Sequence, residues 1–160
     1  MSSLVDVFKQ AMADEVKATA FYRLAAETTE DDQARMVFLD LVSMEENHAK
    51  DLIDKVKGTS LLEGWDAKVY LDELEASTDT AISEEVASTI RQGNVKTILE
   101  MAKEMEISAR GNYETLAAEA KEEMLRSFFA EMVKEEENHV KQMDFLLLSL
   151  DIDAEDRPGL

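Results

Sequence analysis

Val42-Ser43-Met44-Glu45-Glu46-Asn47-His48-Ala49-Lys50 recurs as Val133-Lys134-Glu135-Glu136-Glu137-Asn138-His139-Val140-Lys141, an offset of 91 residues. The 160-residue chain has two histidines, and each follows a glutamate by three positions. Residues i and i+3 of a helix share one face about one turn apart. Glu45 with His48, and Glu136 with His139, therefore each turn a carboxylate and an imidazole toward one point, as a metal claw would. The chain's glutamate content would produce this spacing at both histidines by accident in roughly 2% of cases, before the shared flanking residues are considered.

The same offset aligns far more than the motif. Ala11/Ala102, Glu15/Glu106, Ala18/Ala109, Tyr22/Tyr113, Ala26/Ala117, Arg35/Arg126 and Phe38/Phe129 are identities without any gap. A repeat this long exceeds a solenoid unit and reads as two copies of one helical hairpin. The fold predicted from it is all-α, with a pseudo-two-fold axis and two equivalent half-sites.

In chain order, Ser3 and Asp6 can cap a first helix whose apolar stripe runs through Leu4, Phe8, Ala11, Met12, Ala18, Phe21, Tyr22 and Ala25. Glu15 interrupts that stripe, a costly place for a carboxylate unless it is paired or binds a metal. After the polar turn Thr28 to Asp32, a second helix carries Phe38, Leu41, Glu45, His48, Leu52 and Val56 on one face and ends at Gly58. Asn94 can cap a third helix with Ile98, Leu99, Ala102, Glu106, Tyr113 and Leu116 inward. The fourth is expected from about Glu122 to Leu150, with the turn before it placed by the repeat at Glu119 to Glu122. The expected organisation is one domain over residues 1–150. It comprises two hairpins (about 4–58 and 95–149), a connector over 59–93 with short helices near Tyr70 to Leu74 and Ser83 to Gln92, and a frayed tail at 151–160. Trp65 and Tyr70 read as packing residues. A long crossover between the second and third helices makes this an antiparallel four-helix bundle.

Four inward faces thus deliver Glu15, Glu45, His48, Glu106, Glu136 and His139. One Glu from each of two helices, with Glu-x-x-His from each of the other two, is a known donor pattern of ferritin-like di-iron and di-manganese carboxylate bundles, and these six residues match it. Two divalent cations would offset the charge of four carboxylates, which would otherwise repel one another in a low-dielectric core. Carboxylate with imidazole suits iron or manganese, and zinc could occupy the site adventitiously.

Composition sets the surroundings. A formal charge of −19 argues against nucleic acid as a partner. The absence of cysteine excludes disulfides and thiolate-held iron within these residues. The start Met1-Ser2-Ser3-Leu4-Val5-Asp6 has no basic segment leading into an apolar core, and no stretch is apolar enough to span a bilayer. The expectation is a cytoplasmic protein with no membrane partner.

Glu15-x-x-Ala18-x-x-Phe21-Tyr22, Glu106-x-x-Ala109-x-x-x-Tyr113-Glu114-Thr115-Leu116-Ala117 and both Glu-Glu-Asn-His segments resemble the rubrerythrin branch of the ferritin-like superfamily, over about residues 4 to 148. The resemblance implies two iron ions, bridged by Glu45 and Glu136. Glu15 and Glu106 would be terminal carboxylates, and His48 and His139 would bind one ion each. Tyr22 and Tyr113 would be hydrogen-bond donors to carboxylates. It also implies oxidation of bound Fe(II) by peroxide or O2, as a peroxidase or ferroxidase. A homodimer is the assembly expected. Ala109 stands where rubrerythrins carry an extra carboxylate, which leaves a six-ligand set more like that of bacterioferritin, with Glu104 the first alternative for a seventh. Without cysteine there is no rubredoxin-type donor in these residues, so peroxide turnover would draw on an external reductant. Iron storage, and a structural helical protein with a vestigial site, are the competing readings.

Overall fold

The computed structural model describes residues 3–77 and 82–155, which are helical with no strand among them. Four long helices are α1 (Leu4–Thr28), α2 (Asp32–Val56), α5 (Val95–Glu119) and α6 (Glu123–Glu155). Between α2 and α5 lie a 3-10 turn (Ser60–Leu62) and two short helices, α3 (Ala67–Ala76) and α4 (Glu84–Arg91). The long helices pack α1 on α2, α5 on α6, α1 on α5 and α2 on α6.

Local chemistry sets the helix starts. Ser3 and Asp6 form a reciprocal capping box, with Asp6 N–H donating to Ser3 Oγ at 3.1 Å and Ser3 N–H to Asp6 Oδ2 at 3.2 Å. Asp31 accepts from Ala34 N–H at 2.8 Å to open α2, and Asn94 accepts from Thr97 N–H at 3.2 Å to open α5. At the end of α2, Gly58 takes φ +75°, a left-handed conformation that stops the helix at little steric cost.

The repeat is visible in backbone detail. The first helix of each hairpin ends at Thr28 or Glu119 and the second starts at Asp32 or Glu123, positions related by the same offset of 91 residues. Each turn is clamped by the repeated arginine. Arg35 donates to Thr29 O at 2.5 Å, and Arg126 donates to Ala120 O at 2.9 Å and Lys121 O at 2.8 Å. Orphan carbonyls at the ends of α1 and α5 thereby gain charge-assisted partners.

Two boundaries depart from the sequence reading. The last helix starts at Glu123 and continues past Leu150 to Glu155, so the expected tail is in part helical. Asp151-Ile152-Asp153-Ala154-Glu155 contains no helix breaker, and the first one is Pro158, which disfavours helical backbone at the residue before it. The rest of the expected tail, 156–160, lies outside the described residues. In the connector, Trp65 packs against Phe8 and Tyr70 at 5.9 Å between ring centroids, and its Nε1–H donates to Leu61 O at 2.6 Å.

The core consists of two apolar clusters. One gathers Phe8, Met12, Leu52, Tyr113, Leu116 and Phe129; the other gathers Phe21, Tyr22, Phe38, Leu41, Ile98 and Met143. Tyr22 and Phe38 belong to the second cluster, while their repeat partners Tyr113 and Phe129 belong to the first. The pseudo-two-fold relation therefore exchanges the clusters. Phe38 and Phe129 are both fully buried. Phe38→Ala and Phe129→Ala are expected to destabilise by about 3–5 kcal/mol each. Urea denaturation of each variant checks this, and the two losses should be of similar size.

Candidate metal centre

Glu15, Glu45, Glu106 and Glu136 come from α1, α2, α5 and α6, and each is at most 2% exposed. His48 and His139 lie one turn beyond Glu45 and Glu136 and are also buried. Helical phase explains this. Glu15 and Glu106 continue the stripes of Ala11, Ala18 and Ala102, so burying those stripes draws the carboxylates inward.

The six side chains form two overlapping tetrads, Glu15, Glu45, His48 and Glu136, and Glu45, Glu106, Glu136 and His139. Within each tetrad the donor atoms lie within 4.8 Å of one another, and Glu45 and Glu136 belong to both. His48 Nδ1 stands 3.5 Å from Glu45, 3.6 Å from Glu15 and 3.6 Å from Glu136. Across the pseudo-dyad, His139 Nδ1 stands 3.5 Å from Glu136, 3.1 Å from Glu106 and 3.6 Å from Glu45. The imidazole rings lie nearly parallel, 5.9 Å apart.

Tyr22 donates its hydroxyl hydrogen to Glu106, and Tyr113 donates to Glu15. Each tyrosine ring is held by the phenylalanine of its own hairpin, Tyr22 on Phe38 at 6.1 Å and Tyr113 on Phe129 at 6.4 Å. The bonds thus cross from one hairpin to the other, and one oxygen each of Glu106 and Glu15 is fixed by a rigid donor. Burial, with the charge of Glu106 or Glu15 beside each, keeps both phenols well above their usual range, so they remain donors at neutral pH.

Several polar atoms here are buried without a hydrogen-bond partner: Glu15 Oε2, Glu45 Oε1, both oxygens of Glu136, His48 Nδ1 and His139 Nε2. Unpaired buried carboxylate oxygens are costly, and a cation among them would remove the cost. Burial and the neighbouring carboxylates push Glu45 and Glu136 well above the carboxylate range. Burial would also raise Glu106, but the neighbouring Glu136, with the hydrogen bonds of His139 and Tyr22, outweighs it and holds Glu106 low. Oxygen donors with two imidazoles and no thiolate suit hard or borderline divalent ions such as iron or manganese. The residues fit a metal pair.

A cavity of about 100 Å³ reaches the cluster between α1 and α5, lined by Asp14, Ala18, Met105 and Ala109 beside Glu15, Glu45 and Glu106. The alanines that break the line of large side chains in the sequence are what leave this space. Ala109 lies on its wall, so the position of the extra rubrerythrin carboxylate is a gap here. Glu104 does not supply the missing group: it is exposed, because two residues along a helix from Glu106 is about 200° of rotation.

Two features were not visible in the pattern. Asp14 and Asn112 bond across α1 and α5 at 2.8 Å at the edge of the cavity. Glu135 hydrogen-bonds His48 Nε2 from α6. The one trace of Glu135 in the sequence is a break in the repeat, since its counterpart is Met44.

The helical fold and the carboxylate–imidazole cluster define a helical protein built around a buried site able to hold metal. The chain belongs to the rubrerythrin family, whose family model, described as Rubrerythrin, matches residues 6–147. No curated protein and no solved structure matches the chain significantly. Among the described residues no helix is long and apolar enough to cross a membrane.

Proton linkage gives this site a measurable signature in the metal-free state. Burial alone would lower His48, but the adjacent Glu15 carboxylate, with the charges of Glu136 and Glu135, holds it at about 9 against an ordinary 6.5. A group with a raised folded pKa contributes stability that is fully present below 6.5 and is lost as the pH climbs through about 9. Glu136 and Glu45, also raised, act in the same direction. Glu106, lowered, acts only in the acid range. Thermal unfolding of the metal-free protein should therefore move to lower temperature between pH 6.5 and 9, by up to about 1.4 kcal/mol per pH unit for each proton involved. Adding a divalent metal should flatten the profile.

Proposed function

We propose that this chain is a ferritin-like antiparallel four-helix bundle that holds two iron ions and oxidises them with peroxide or O2, as an oxidoreductase of the peroxidase or ferroxidase type. The observation that carries this reading is the pair of buried tetrads sharing Glu45 and Glu136, with unpartnered carboxylate oxygens facing one another. In this reading Glu45 and Glu136, common to both tetrads, would be shared by the two ions, Glu15 and Glu106 would each serve one, and His48 and His139 would each supply one nitrogen. Iron held there would supply the redox chemistry, two electrons from two Fe(II) that with two protons would reduce one H2O2 to two waters.

The protein's own groups serve that reaction in three ways. Tyr22 and Tyr113 each fix one oxygen of Glu106 and Glu15, while the other oxygen is unpartnered on Glu15 and meets His139 Nδ1 on Glu106. The apolar clusters above and below exclude bulk water and hold the carboxylates in a low-dielectric setting. The small cavity beside Ala18 and Ala109 admits an oxidant of two heavy atoms and is too small for a large organic substrate. Asp14 on the same wall has its carboxyl raised by burial and accepts from Gln10 and Asn112. Return of the iron to Fe(II) requires an external electron donor.

Anaerobic loading followed by elemental analysis should give two iron ions per chain, and stopped-flow absorbance after mixing with H2O2 should show their rapid oxidation. Glu45→Ala, which removes a residue common to both tetrads, should retain fewer than two ions. It should also slow oxidation at least about tenfold, equivalent to about 1.4 kcal/mol of barrier. Uptake continuing to many iron ions per chain would favour storage instead, and failure to bind iron would contradict the reading.

A further inference from the structure

The two half-sites share ligand types but differ in what stands behind the imidazoles. His48 presents Nδ1 to the carboxylates and gives Nε2–H to Glu135 on the opposite helix α6. His139 also presents Nδ1, but that atom is engaged by Glu106 at 3.1 Å and its Nε2 is buried with no partner. The repeat accounts for the difference, because the position that would serve His139 as Glu135 serves His48 is Met44. A carboxylate behind a metal-binding histidine fixes the ring orientation, selects the nitrogen that binds, and raises its basicity.

Resting on the di-metal reading above, we propose that Glu135 is a positioning residue for His48, making the Glu15–His48 half-site the tighter of the two so that it fills first. With a metal bound in place of the Nδ1 proton, the Glu135–His48 bond would hold the remaining hydrogen on Nε2 and keep Nδ1 directed toward Glu15, Glu45 and Glu136. On the other side, a metal must displace the His139–Glu106 contact and leaves an imidazole N–H without an acceptor. That desolvated N–H opposes binding at the second half-site. Glu135 is 46% exposed on its side chain, so its replacement does not open the core.

The test titrates metal-free protein with Co(II), followed by visible absorbance and calorimetry. The expected result is two Co(II) per chain, with the first at least about tenfold tighter than the second. With one equivalent bound, proton NMR in water should show one hyperfine-shifted, exchangeable imidazole N–H, lost in His48→Ala and kept in His139→Ala. Glu135→Met should weaken the first step by about tenfold or more, merge the two steps and broaden the N–H signal through exchange with water. Glu135→Gln, whose amide oxygen still accepts from Nε2–H, should keep that signal. Met44→Glu, supplying the missing partner to His139, should tighten the second step. Two Co(II) bound with equal affinity, or steps unmoved by Glu135→Met, would overturn this inference and leave the di-metal site standing. Fewer than two Co(II) per chain would overturn the di-metal reading and this inference with it.

Discussion

Four carboxylates are buried at one level of this fold, and their ion-pair partners among the described residues are two histidines. Like charges so close in a low dielectric cannot all ionise without compensation. The protein alone manages the conflict by protonation, which is why Glu45, Glu136 and His48 are all driven up. Cations would resolve it differently, releasing those protons and engaging the orphaned oxygens. Tyrosine donors, flanking apolar clusters and small alanines all act on this one arrangement.

The internal repeat explains how so polar a site can sit inside a helical core. A single hairpin would bring one glutamate and one Glu-x-x-His to a surface. Two hairpins packed about a dyad bring two of each to a shared centre, and each supplies the tyrosine that secures the other's carboxylate. The apolar clusters exchange under the same operation, so packing above the site is mirrored by packing below. Among the positions where the two copies differ, the contrast between Glu135 and Met44 bears on a histidine.

The helices were legible because their apolar stripes are periodic, and the candidate site because Glu15 and Glu106 violate those stripes. The structure gathers all six of these residues, and the same offset that pairs them also registers the turns at Thr29 and Ala120. Symmetry was a poor guide where the copies differ. Glu135 carries no signal in an alignment of the halves, since it appears there as a mismatch with a methionine. Glu104 attracted interest by chemistry alone and failed on helical phase. The last helix outran its expected end because no breaker follows Leu150 until Pro158, and composition by itself does not set where a helix frays.

Geometry at the shared carboxylates is the central claim, and anomalous diffraction from crystals loaded anaerobically with Fe(II) tests it most directly. The account predicts two anomalous peaks about 3.5–4 Å apart, a separation common to two-metal sites. Both should contact Glu45 and Glu136, one should contact His48 Nδ1, and the other His139 Nδ1. A single peak, or a pair of peaks outside this cluster, would contradict it.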